Sequence, residues 1–152
     1  MQPIRILFSS ISGNTRGFLQ KLATYATEQQ ATNPTAPLIE AVEISDLTNF
    51  ADETSPFFVC VPTYLSGGNG IDSGVKELMT NTLGEYITYN NNAHLVQGII
   101  GSGNRNFNEQ YILTARCYAH ATQTEVVADY ELRGTTQDVE RIYSILSLLS
   151  QP

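Results

Sequence analysis

Ile4-Arg5-Ile6-Leu7-Phe8-Ser9-Ser10-Ile11-Ser12-Gly13-Asn14-Thr15 is the stretch that decides how this chain folds. Its first five residues are apolar and β-branched around one arginine, which predicts a first strand. Beyond Thr15, the residues Phe18, Leu19, Leu22, Ala23 and Ala26 recur at helical spacing and form one face of an amphipathic helix. A loop of hydroxyls, one amide and one glycine therefore joins a strand end to a helix start. A helix start offers unpaired N–H groups and a positive dipole end, which suits a phosphate. The Ser and Thr hydroxyls add donors, and Gly13 lets the backbone close around the oxygens. The loop lacks the lysine of an ATP-binding loop, and no G-x-x-x-x-G-K-[ST] occurs anywhere. A neutral cradle of this kind points to the terminal phosphate of a mononucleotide cofactor more than to ATP.

The same alternation of apolar run and helical stripe continues along the chain. A polar connection, Thr27 to Pro37, carries Pro34 and Pro37, which stop helices, and leads to a second strand over Leu38–Ile44. Pro56–Val61 is continuously apolar, as a strand covered on both faces should be. Val75, Leu78, Met79, Thr82, Leu83 and Tyr86 form a helical stripe. A fourth strand follows over Leu95–Ile100, then a helix over Tyr111–Thr122, a fifth strand near Glu125–Leu132, and a last helix carrying Val139, Ile142, Tyr143, Leu146 and Leu149. Asn90-Asn91-Asn92 reads as a polar loop. Five strands separated by helices imply a parallel sheet with helices on both faces. Neither an internal repeat nor a linker interrupts it, so residues 1–152 are expected to form one domain.

In such sheets a ligand sits beyond the carboxyl ends of the strands, at the switch in strand order. The loops after strands one, three and four should then all look like binding loops, and they do. The third strand is followed by Pro62-Thr63-Tyr64-Leu65-Ser66-Gly67-Gly68-Asn69-Gly70, the fourth by Gly101-Ser102-Gly103-Asn104-Arg105-Asn106-Phe107. The glycines at 67, 68 and 70 clear space for a flat ring to approach the backbone. Tyr64 and Phe107 are the aromatic residues placed to stack beside it, and Asn104 and Asn106 can bond its polar edge. Gly101-Ser102-Gly103 is a poor match to G-x-G-x-x-G: Asn106 stands where the third glycine belongs, and the stretch follows the fourth strand.

Composition narrows the classes further. A formal net charge of -7, with Asp+Glu 15 against Lys+Arg 8, argues against a nucleic-acid surface. Cys60 and Cys117 lie far apart in no metal-ligand spacing, and Cys60, inside an apolar run, reads as a buried inert thiol. His94 and His120 have no Cys, Asp or Glu at ligand spacing and read as surface or capping residues, so no metal site is expected. Arg16 is expected to point to solvent, Glu28, Glu40 and Glu43 to lie on solvated faces, and Tyr111, Tyr118, Tyr130 and Tyr143 to be core-edge aromatics. Neither histidine lies near a G-x-S-x-G elbow, so no nucleophilic triad is read. The N-terminus lacks the pattern of a secretion signal and no run reaches membrane-spanning length, which makes a cytoplasmic protein the default expectation.

Taken together, Ser9-Ser10 with Ser12-Gly13-Asn14-Thr15, Pro62-Thr63-Tyr64 with the glycines at 67 to 70, and above all Gly103-Asn104-Arg105-Asn106-Phe107 resemble the flavodoxin-like NrdI family, the flavin-bearing activating partner of the class Ib ribonucleotide reductase small subunit. The resemblance runs to Glu131-Leu132-Arg133-Gly134-Thr135 before the last helix. It implies a flavodoxin-like, doubly wound, five-stranded parallel sheet of order 2-1-3-4-5. It also implies FMN, with its phosphate in the first loop (Ser9, Ser10, Ser12, Gly13, Asn14, Thr15) and its ring system between Pro62, Thr63, Tyr64, Ser66, Gly67, Gly68 and Ser102, Gly103, Asn104, Asn106, Phe107. Gly67-Gly68-Asn69-Gly70 would tune the flavin and admit dioxygen. Asn108 departs from the family pattern, where another glycine commonly follows the phenylalanine. Arg105 either faces a partner protein or pairs with a local carboxylate. The family role is to reduce dioxygen to an oxidant, superoxide, for the dimanganese site of the partner subunit, where a tyrosyl radical is assembled. A further protein would reduce the flavin. Such a protein is a redox partner more than a stand-alone enzyme, with no catalytic side chain of its own. A general single-electron carrier of the same fold is the alternative, which the absence of Trp and of acids between Pro62 and Gly70 disfavours. A non-redox regulator would need an acceptor Asp at the first strand's end, where this chain has serines.

Overall fold

The computed structural model describes residues 2–9, 13–62, 82–103 and 112–151. Strand β1 (Ile4–Phe8) runs between β2 (Ile39–Glu43) and β3 (Phe57–Pro62), and β4 (Val96–Gly103) and β5 (Val126–Glu131) extend the sheet beyond β3. The five strands pair in parallel in the order β2-β1-β3-β4-β5, with Ile6 opposite Phe58 and Cys60 opposite Ile100. The expected order therefore holds, and the switch lies between β1 and β3.

The described helices are α1 (Asn14–Thr32), α2 (Thr82–Ile87), α3 (Leu113–Thr122) and α4 (Thr136–Leu149). One face of the sheet, with Ile4, Ile6, Phe8, Phe58, Cys60 and Tyr130, packs under α1 and α4. The other, with Leu7, Phe57, Val59, Val61 and Ile99, packs under α2 and α3. Central β3 is wholly buried from Phe57 to Val61, while edge strand β2 is largely open to water. This two-sided cover explains why the central runs read as continuous apolar stretches.

Several boundaries differ from the sequence reading. Helix α1 continues to Thr32, so Thr27 to Thr32 are helical and not part of the connection. The stop comes at Asn33, whose side chain accepts from the Thr35 amide and hydroxyl in a local turn. Strand β4 reaches Gly103, because β5 pairs with it that far, and Leu95 falls in a 3₁₀ turn. Helix α3 starts at Leu113, with Tyr111 outside the described residues, as are Val75, Leu78 and Met79. Leu149 lies 43% exposed at the end of α4, outside the buried stripe expected to include it.

Glu40 and Glu43 lie on open faces and Arg16 is exposed, as expected, and the structure adds surface ion pairs between Glu40 and Arg5 and between Glu43 and Arg16. Asn92, read as part of a polar loop, is buried, accepts from the Glu53 amide at 2.8 Å, and donates to the Ala51 and Tyr86 carbonyls. Beside it, Glu53 receives Arg5 Nε at 2.7 Å and the Tyr86 hydroxyl at 2.6 Å. This network ties the segment before β3 to β1 and α2 at the end of the sheet opposite the candidate site.

Candidate functional site

Ser9 follows β1, Pro62 closes β3, and Ser102 and Gly103 close β4, three neighbouring strands that end at one edge of the sheet. Gly13 begins α1 with φ 86°, a left-handed turn that glycine adopts without strain and that starts a helix of 19 residues at the same edge. Asn14 and Thr15 form its first turn. The structure thus brings Ser9, Gly13, Asn14, Thr15, Pro62, Ser102 and Gly103 together. Ser10, Ser12, Thr63, Tyr64, Ser66, Gly67, Gly68, Asn69, Gly70, Asn104, Asn106 and Phe107, with Arg105 and Asn108, lie outside the described residues.

The first turn of α1 contains no acidic side chain, and its Ncap glycine has no side chain to cap the free amides. Thr15 is 1% exposed, and its Oγ1 makes no hydrogen bond of good geometry with the chain. Burying a hydroxyl without a partner is costly. A phosphate oxygen at the helix start would satisfy it, so these residues fit a phosphate group.

Beneath the turn lies a buried floor that the sequence reading missed. Tyr130 of β5 stacks on Phe18 of α1, with ring centroids 3.8 Å apart and planes 16° from parallel. Its hydroxyl lies 3.7 Å from Cys60 Sγ and close to the hydroxyls of Ser102 and Thr15. Tyr130 and Tyr118 are therefore full core residues, not core-edge ones. Burial pushes the Tyr130 phenol far above its ordinary value, and it pushes the Cys60 thiol up to about 12 against the opposing hydrogen bond from Tyr130. Both stay neutral, so the floor carries no charge toward the site. Cys60 is the buried, inert thiol that its apolar run suggested.

The rim also carries exposed leucines: Leu47, after β2, is 93% exposed, and Leu132, after β5, is 52% exposed. His94 and His120 are exposed in the last turns of their helices, and no cluster of three metal-ligating side chains occurs among the described residues. No described helix is long and apolar enough to cross a membrane.

The sequence profile described as NrdI flavodoxin-like matches residues 6–144. The chain belongs to the NrdI flavodoxin-like family. A putative NrdI-like protein of Streptococcus pneumoniae is 38% identical over 151 residues, covering 97% of this chain and 94% of that one. One from Streptococcus pyogenes is 41% identical over 150 residues, covering 96% and 89%. Protein NrdI of Mycoplasma genitalium is 28% identical over 145 residues, covering 95% and 83%. Among solved structures, a short-chain flavodoxin associated with a bacterial microcompartment superposes with a TM-score of 0.59 at 16% identity, covering 98% of this chain and 97% of that one. Oxidised flavodoxin 2 from Bacillus cereus gives 0.53 at 15% identity, covering 97% of each. At such identities these structures establish the flavodoxin fold of this NrdI family member and nothing finer.

Proposed function

We propose that this member of the NrdI family is an FMN flavoprotein of the cytoplasm that activates the class Ib ribonucleotide reductase small subunit. The observation that carries the cofactor assignment is the buried Thr15 hydroxyl at the start of α1, near Tyr130 but without a hydrogen bond of good geometry, where the strand order switches. Thr15, Asn14, Gly13 and the serines at 9, 10 and 12 would hold the phosphate. The loops from Pro62 to Gly70 and from Ser102 to Phe107 would flank the ring system.

The chemistry FMN supplies when bound is reduction of dioxygen to superoxide, the oxidant used at the partner's dimanganese site. The chain's own part is to bind and orient. Helix amides and hydroxyls would bond the phosphate without a cation in the loop, above a floor of Tyr130, Cys60 and Ser102 that carries no charge.

The test is to reduce the FMN-loaded protein, add manganese-loaded small subunit and dioxygen, and measure tyrosyl radical by electron paramagnetic resonance. Radical should form only with the reduced protein present. An equal yield without it overturns the activating role. A yellow protein that leaves the radical yield unchanged would be a general single-electron carrier.

A further inference from the structure

Among the described residues, Arg133 makes a different contact from Arg5, Arg16 and Arg141. Arg5, Arg16 and Arg141 each meet a carboxylate. Arg133 instead donates Nε–H to Asn14 Oδ1 at 3.0 Å, across 119 residues of sequence. The loop that delivers it, between β5 and α4, is fixed at every step. The Leu132 amide donates to the Gly103 carbonyl at 2.9 Å, with Leu132 held at φ 56°, a left-handed conformation that side chains rarely adopt. Gly134 lies at φ 73°, and a Cβ there would meet the Phe18 ring at 2.7 Å, so the backbone presses on the Phe18–Tyr130 stack. Lys21 Nζ donates to the Gly134 carbonyl at 3.3 Å. Thr135 and Asp138 close a reciprocal capping box on α4. So anchored, the loop forms a wall of a cleft of about 660 Å³ shared with Asn14 and Thr135.

We propose that Arg133 is a positioning residue for the phosphate end of the flavin site, acting through Asn14. A guanidinium has only donors, so the amide atom facing it must be the oxygen. Asn14 is thereby held with its NH₂ group turned away from Arg133, where it can donate to a phosphate oxygen at the start of α1. The positive charge of Arg133 stands beside the same turn, in a cleft whose other charged side chains are Glu131 and Asp138. This inference rests on the FMN reading above, and it extends that reading to a residue outside the three binding loops.

The experiment compares FMN with riboflavin, which lacks the phosphate, by flavin fluorescence titration of the apoprotein. Arg133→Ala is expected to weaken FMN about ten-fold, the size of one charge-assisted hydrogen bond, with riboflavin unaffected. Arg133→Lys, which keeps the charge and a donor, should regain part of the loss. Asn14→Ala should weaken FMN similarly, and the double variant should be no worse than either single one, because both remove the same contact. Equal weakening of both flavins, unchanged FMN binding in Arg133→Ala, or two losses that multiply each overturns the proposal. Failure of the FMN reading itself looks different: the wild-type protein would bind neither flavin, or both equally well. Both side chains lie at the surface, so the variants are not expected to unfold.

Discussion

Removing one hydroxyl should separate binding from stability in this protein. Thr15→Val keeps the shape and deletes a buried hydroxyl that the chain itself holds only by a poorly aligned contact with Tyr130. FMN affinity is expected to fall about ten-fold, while the melting temperature stays level or rises. Asn92 predicts the reverse. Its side chain satisfies three backbone groups at the far end of the sheet, so Asn92→Ala should cost about 2 kcal/mol in denaturant unfolding with flavin binding intact. The two residues also differ in how readable they are. Thr15 follows a strand and a Ser-Gly loop, and that order alone singles it out as a candidate ligand group. Asn92 stands in a run of three asparagines, where Asn90 and Asn91 are exposed and nothing local singles out the third. Its role depends on Glu53 and Ala51, some forty residues earlier. Arg133 is equally silent, since its partner lies at the opposite end of the chain.

Elements were legible where they are buried on both faces. The runs at Ile4–Phe8 and Phe57–Val61 announce themselves, because a central parallel strand has no polar face to interrupt the pattern. Ends were less legible. The last turn and a half of α1 carries Glu28, Gln29 and Gln30, good helix formers with no apolar stripe, and periodicity cannot tell such a turn from a polar loop. Close packing between elements was not legible at all. Gly101 of β4 lets α3 seat directly on the sheet: a Cβ there would meet the Ala115 Cβ at 2.7 Å and Ile112 Cγ2 at 3.2 Å. Gly101→Ala should push the helix outward and cost about 2 kcal/mol, read as a lowered melting temperature. Because Ser102 and Gly103 continue the same strand into the site, flavin binding should weaken in that variant too.

At the scale of the whole molecule, charge sets the response to pH. Burial opposes the Glu53 carboxylate, but the hydrogen bonds from Arg5 and Tyr86 outweigh it and hold its pKa below the ordinary glutamate value of 4.5. A depressed carboxylate binds fewer protons folded than unfolded, so its stabilisation is present above that value and is lost as pH falls through the folded one. Unfolding free energy should therefore drop with acid below about pH 4.5, and Glu53→Gln should flatten that slope while lowering stability at neutral pH. Cys60 acts at the other end. Its raised pKa favours the neutral thiol of the folded state, so stability should decline from about pH 9 upward as the unfolded thiol ionises. The net charge of -7 acts on bound FMN as well, disfavouring added negative charge, and the fully reducing step is expected to have a potential below that of free FMN in a redox titration.

The contact between Asn14 and Arg133 finally bears on when the site comes into being. At usual rates of synthesis, 119 residues separate the emergence of its two halves by on the order of ten seconds. During that interval the growing chain already displays its serines and the start of α1, yet lacks the Tyr130 floor, strand β5 and the arginine that steadies Asn14. A nascent chain stalled after its first four strands should therefore bind FMN more weakly than the finished protein.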